Sequence, residues 1–222
     1  MSKTEQELKA AIASTRIIAL MRGFAPEVCL HLVEAYAKGG IRAVEVTFDQ
    51  AHPETWTSTA AVIKAIVERF GEVLIVGAGT VLNEEQLSMM EDAGGSFMVA
   101  PNVNPALIKE ARSRSLSVIA GAMTPTEAVT AYDAGASFVK IFPANVLGPK
   151  YVQALTAPLG HIPMLAFAGI TPDNLSDFLA AGCVGAGVGG CLTDRRLIAS
   201  ADWAGIEAAA RNFITIAKEH NK

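Results

Sequence analysis

Phe138-Val139-Lys140-Ile141-Phe142-Pro143 is a bulky, partly β-branched apolar run closed by a proline, with one charge in its middle. It is short for a helix and apolar along its whole length, so it reads as a strand buried on both faces. Strands of that kind belong to parallel sheets covered by helices. The same theme recurs in both directions along the chain: Arg16–Met21, Ala43–Phe48, Val73–Gly79, Phe97–Pro101, Ser117–Ala122, Met164–Gly169 and Gly185–Gly190 bring the candidate strands to eight. Segments with helical periodicity separate them, among them Pro26–Lys38, Asn83–Ala93, Thr124–Ala134 and Thr171–Ala181. Strand and helix therefore alternate in units of roughly 20–30 residues. Eight such units predict an α/β fold, a closed (β/α)8 TIM barrel in a single domain spanning residues 1–222, with an N-terminal helix at about residues 2–14. An open doubly wound sheet is the competing fold, but Gly77-Ala78-Gly79 lacks the third glycine of a dinucleotide-binding turn.

Local punctuation agrees with the alternation. Gly39-Gly40, Gly94-Gly95, Gly135 and Gly182 each follow a helical stretch, where glycine takes the left-handed conformation without a Cβ penalty. Asn83, Asn104, Thr124 and Thr171 are suited to cap helix N-termini, and Pro105, Pro125 and Pro172 stand where first helical residues belong.

Composition narrows the function classes. At 222 residues, 51% hydrophobic and 18% charged, the chain has ample material for one core. A net charge of −4 argues against a nucleic-acid surface, so an anionic ligand must be held by local groups. Cys29, Cys183 and Cys191 form neither an even set nor a metal-ligand spacing, which predicts reduced thiols and a cytoplasmic location. The start Met1-Ser2-Lys3-Thr4-Glu5-Gln6-Glu7 is too polar for a secretory signal, and no apolar run reaches the ~18 residues a membrane span needs. His31, His52, His161 and His220 offer no i, i+4 pair, so no metal site and no cofactor are expected; His31 and His220 read as ordinary helix-surface residues.

Ionisable residues inside apolar strands are the informative exceptions, because an unpaired buried charge is costly. Lys140 is one, placed near the C-terminal end of its strand, where barrels gather their chemistry. Desolvation favours its neutral amine, a nucleophile. Glu45 is the other, in Ala43-Val44-Glu45-Val46-Thr47-Phe48, and period-two alternation puts it on one face with Thr47, pointing into the barrel. The two are either a buried structural ion pair or the nucleophile and proton carrier of Schiff-base chemistry. Gly77-Ala78-Gly79-Thr80 is either a plain tight turn or a dock for a carboxylate, with Thr80 offering its hydroxyl. The turns at Gly169 and at Gly189-Gly190 adjoin predicted helix starts, and their backbone N–H groups suit a phosphate without a basic side chain. Arg22 closes the first strand and is placed to reach a substrate carboxylate or hydroxyl, or to remain a solvated loop residue.

With these motifs in view, the chain resembles the class I aldolases for 2-keto-3-deoxy-6-phosphogluconate, for its galactonate epimer and for 4-hydroxy-2-oxoglutarate. Ala43-Val44-Glu45-Val46-Thr47, Gly77-Ala78-Gly79-Thr80-Val81, Val139-Lys140-Ile141-Phe142-Pro143 and Gly169-Ile170-Thr171-Pro172 carry the resemblance, in the family's order and spacing. It implies that Lys140 forms the Schiff base, that Glu45 shuttles protons, that Thr80 and Arg22 hold the pyruvyl carboxylate, and that Gly169, Gly189 and Gly190 receive phosphate. It also implies a homotrimer that cleaves a phosphorylated keto-deoxy sugar acid to pyruvate and glyceraldehyde 3-phosphate. Two positions depart from the pattern. Asp49 stands where many gluconate-type members have arginine, and Gly190 where several have serine. Arg22-Gly23 and Leu147-Gly148-Pro149 lie closer to the galactonate-type branch. The alternatives are a 4-hydroxy-2-oxoglutarate aldolase giving pyruvate and glyoxylate, a phosphosugar isomerase or epimerase using Glu45 alone, and an idle barrel that binds a phosphate ligand.

Overall fold

In a computed structural model that describes residues 3–220, the chain runs α1 (Glu5–Thr15), β1 (Ile17–Met21), α2 (Pro26–Gly39), β2 (Ala43–Thr47), α3 (Trp56–Phe70), β3 (Ile75–Gly79), α4 (Glu84–Asp92), β4 (Phe97–Val99) and α5 (Pro105–Ser113). It continues through β5 (Ser117–Ala122), α6 (Pro125–Asp133), β6 (Phe138–Ile141), α7 (Ala144–Thr156), β7 (Met164–Phe167), α8 (Leu175–Ala180), β8 (Gly185–Val188), α9 (Arg195–Ala199) and α10 (Trp203–Glu219). All pairings are parallel, each strand beside the next, and β8 closes on β1 through Ile17↔Ala186 and Ala19↔Val188. The sheet is thus a closed (β/α)8 barrel, and the open doubly wound alternative is excluded. Residue 2, where the N-terminal helix was expected to begin, lies outside the described residues.

Period-two alternation divides the core into two compartments. Val44, Val76, Val139, Met164 and Ala186 face outward and pack under the helices. Ile18, Ala43, Ile75, Phe97, Val99, Ile119, Phe138, Leu165 and Phe167 face inward and fill the barrel, with Leu8 and Ile12 of α1 inserted among them. Removing a side chain as well buried as Ile12 costs about 2–5 kcal/mol in comparable cores. Helix α1 thus closes one end of the barrel and leaves the C-terminal ends of the strands as the open mouth.

Several strands are shorter than the sequence suggests. β4 stops at Val99, before Pro101; β6 stops at Ile141, before the cis Phe142–Pro143 peptide; and β7 stops at Phe167, because Ala168 (φ 81°) and Gly169 (φ 67°) leave the extended region. Gly190 is likewise in a turn after β8. Gly40, Gly94, Gly135 and Gly182 all take positive φ at the helix stops, and Asn83, Asn104 and Thr124 cap α4, α5 and α6 through their side chains. Thr171 does not cap a helix, and Pro172 is not a first helical residue. Asn174 Oδ1 accepts from the Thr171 amide at 2.8 Å while its Nδ2 donates to the Gly169 carbonyl at 2.9 Å, so the chain completes a turn first and α8 begins at Leu175. No described helix is long and apolar enough to cross a membrane.

Candidate active site

Lys140 enters the mouth because it alternates with Val139 and Ile141, which face the helices, and lies one inward step above Phe138. It is 6% exposed, and its Nζ stands 4.7 Å from the ring centroids of both Phe142 and Phe167. Burial, helped by the Arg22 charge, pushes Lys140 below the ordinary lysine range against the opposing charge of Glu45. Phe167 owes its place to Gly187 on the neighbouring strand, where a Cβ would lie 2.2 Å from the ring.

Glu45 occupies the same inward row on β2, 2% exposed. Thr47, two residues on, donates its hydroxyl to Oε1 at 3.1 Å, while Oε2 is buried without a protein partner. Burial raises the Glu45 carboxyl above the usual carboxylate range, more than Lys140, Thr47 and Arg22 lower it. Among the described ion pairs none joins Glu45 to Lys140. Space for the carboxylate comes from Gly79 of β3, where a Cβ would stand 1.6 Å from Oε1.

Arg22 follows β1 and its Nη2 donates to the Thr80 hydroxyl at 3.1 Å. Thr80 is in the left-handed region, φ 55°, and Gln50 Nε2 donates to its carbonyl at 2.7 Å, so the residue is fixed at both ends. Gln50 was not anticipated, since nothing in its own segment marks it; the link to Thr80 spans two strand ends. Asp49 is turned elsewhere: its Oδ1 accepts from the Ala51 amide at 2.9 Å, a local turn bond.

At the turns after β7 and β8, the amides of Gly169, Gly189 and Gly190 donate to no acceptor among the described residues. A Cβ at Gly169 would meet Asn145 at 2.5 Å, whereas one at Gly190 would meet nothing within 4 Å. All seven expected residues, Lys140, Glu45, Arg22, Thr80, Gly169, Gly189 and Gly190, line one cavity of about 780 Å³. Phe142, Phe167 and Arg195 line it too and were not foreseen, because two are apolar residues of apolar runs and the third lies past the last strand. Among the described residues no three His, Cys, Asp or Glu side chains gather as a metal site.

The barrel with a buried amine and a carboxylate at its mouth can be placed among known proteins. The family model for KDPG and KHG aldolase matches residues 8–209. The chain is 39% identical over 174 residues to the 2-dehydro-3-deoxy-6-phosphogalactonate aldolase of Escherichia coli K12, covering 78% of this chain and 82% of that protein. It is 32% identical over 197 residues to the 2-dehydro-3-deoxy-phosphogluconate aldolase of Pseudomonas aeruginosa, covering 87% and 85%. A solved native KDPGal structure superposes with a TM-score of 0.82 at 35% identity, over 92% of this chain and 95% of that one. Fold, site and relatives define a carbon–carbon lyase of the aldolase type. More narrowly, the chain belongs to the KDPG and KHG aldolase family.

Proposed function

We propose that this chain is a class I aldolase that cleaves a 2-keto-3-deoxy-6-phospho sugar acid of the galactonate type to pyruvate and glyceraldehyde 3-phosphate. The observation that carries the reading is the Lys140 amine, desolvated between two aromatic rings in a cavity it shares with Glu45. The galactonate preference is supported by the relatives named phosphogalactonate aldolase, at 39% and 37% identity.

Arg22 and Thr80 hold the substrate carboxylate, and the neutral Lys140 amine attacks the C2 ketone. Loss of water leaves an iminium. Glu45, whose raised pKa brings it nearer working pH, accepts the C4 hydroxyl proton directly or through a water, and the C3–C4 bond breaks with its electrons drawn into the iminium as an enamine. Protonation of the enamine carbon and hydrolysis release pyruvate and restore the amine. The free amides of Gly169, Gly189 and Gly190 receive the phosphate.

A homotrimer and a cytoplasmic location belong to the same reading. The first is supported by Met123, Phe142 and Val146, exposed apolar residues beside the mouth after β5 and β6, and a solution mass of three chains is the result that tests it. The second is supported by three unpaired cysteines.

The deciding experiment mixes the protein with pyruvate and sodium borohydride and measures intact mass, with Lys140→Met as control and peptide mapping of the adduct. One reduced pyruvyl adduct on Lys140, absent from the control, is expected. A folded protein that takes no adduct overturns the Schiff-base mechanism and transfers the weight to an isomerase that uses Glu45 alone.

A further inference from the structure

We propose that Arg195 is the specificity-determining residue for the far end of the substrate, supplying the cationic charge that makes this site prefer a terminal phosphate over a neutral hydroxyl. The inference rests on the aldolase reading above and concerns a residue to which that reading gives no role.

Arg195 lines the cavity together with Gly189 and Gly190, on the segment that follows β8. Its neighbour in sequence, Arg196, is spent: it donates from Nε and Nη2 to Asp194 at 3.3 and 2.9 Å. Asp194 also lines the cavity, and an unneutralised carboxylate there would repel an anion. Hydrogen bonds from Arg196 hold that carboxyl down at about 2, so it stays charged and stays paired. Among the described ion pairs none involves Arg195. The pair Asp194–Arg196 thus cancels locally and leaves Arg195 as the cation among the residues lining this side of the mouth.

The Gly189-Gly190 turn, which lines the same cavity, is tied back and open. The Gly189 carbonyl accepts from the Leu192 amide at 2.8 Å, from the Thr193 amide at 3.0 Å and from the Thr193 hydroxyl at 3.1 Å, so it is tied back along its own loop. A Cβ at Gly190 would meet nothing within 4 Å, so the turn is open to the cavity. Free amides supply partial charges only, whereas a terminal phosphate carries close to two negative charges at neutral pH. A guanidinium matches that group in charge and in forked geometry. The cation Arg22 is bound to Thr80 at the β1–β3 side and serves the other end of the molecule.

The test compares kcat/KM for the 6-phosphorylated keto-deoxy acid with that for its unphosphorylated counterpart, in the wild type, Arg195→Gln and Arg195→Lys. Pyruvate trapping at Lys140 reports in each case that the barrel is folded. Losing one charge-assisted contact at a solvent-facing site lowers the preference for phosphate by about tenfold or more in Arg195→Gln. Arg195→Lys, which keeps the charge and loses the fork, falls between. A phosphate preference in Arg195→Gln equal to the wild type's overturns the proposal. A wild type that traps pyruvate but turns over neither acid overturns the substrate assignment itself, and this proposal with it, by a pattern distinct from the first.

Discussion

The Arg22 guanidinium and the Thr80 hydroxyl meet at 3.1 Å, joining the ends of β1 and β3 across the strand between them, which carries Glu45. In the proposed mechanism this contact ties two chain segments into one carboxylate clamp beside Glu45. Thr80 is held there in the left-handed region, φ 55°, a conformation that costs a β-branched residue roughly 1–3 kcal/mol. Thr80→Gly therefore relieves backbone strain and loses the anchor. The variant is expected to melt no lower than the wild type while its half-saturating pyruvate concentration in borohydride trapping rises by about tenfold, the worth of one hydrogen bond to a charged group. Trapping titrations beside a thermal melt check both halves, and unchanged pyruvate dependence refutes the clamp.

Gly79 is the void that Glu45 fills. In Gly79→Ala the new Cβ falls on the carboxylate oxygen, the far end of a flexible side chain, so the side chain moves and the fold survives. Loss of a positioned proton carrier costs about 10²–10⁴-fold. Cleavage rates should fall within that range while the circular dichroism spectrum and the pyruvate adduct on Lys140 persist.

Burial lowers Lys140 from its ordinary 10.5. Between its folded value and 10.5 the unfolded chain binds more protons at this site than the folded one, so the Lys140 contribution to stability rises with pH across that window. Below the window the site carries its full penalty. Lys140→Met removes it, and replacing buried ionic groups by apolar ones is worth from nothing to about 4 kcal/mol. The variant should melt a few degrees higher than the wild type at pH ~7, at roughly 2–4 °C per kcal/mol for a chain of this size. That difference should shrink as pH approaches 10.5. Melts at both ends of the range test the sign.

Gly190 has open space where a Cβ would go and does not need a positive φ. Gly190→Ser should therefore leave the unfolding free energy within about 0.5 kcal/mol of the wild type's, as surface changes usually do. The added hydroxyl can donate to phosphate. KM for the phosphorylated substrate should fall and that for pyruvate trapping should hold; a KM that rises shows the space is already used by the ligand.

The apolar run at residues 138–143, of which 138–141 form a doubly buried strand, and the repetition of that pattern with glycine stops after helices are enough to predict parallel strands, helices outside and a barrel, because burial on both faces and helix termination are local demands on side chains and φ. Lys140 and Glu45 were legible for the same reason, since a charge in an apolar strand is anomalous wherever it occurs. The shorter strands and the late start of α8 were not legible, because they depend on Asn174 reaching back to Gly169 and Thr171 and on where the ladder loses its partners. The company each charge keeps was decided by closure alone. Pairing β8 with β1 brings all eight C-terminal ends to one mouth, where Gly187 makes room for Phe167 beside Lys140, Gly79 makes room for Glu45, and Arg195 lines the same cavity as Gly190. Those distances follow from register and from the atoms glycine lacks, and separation along the chain does not encode them.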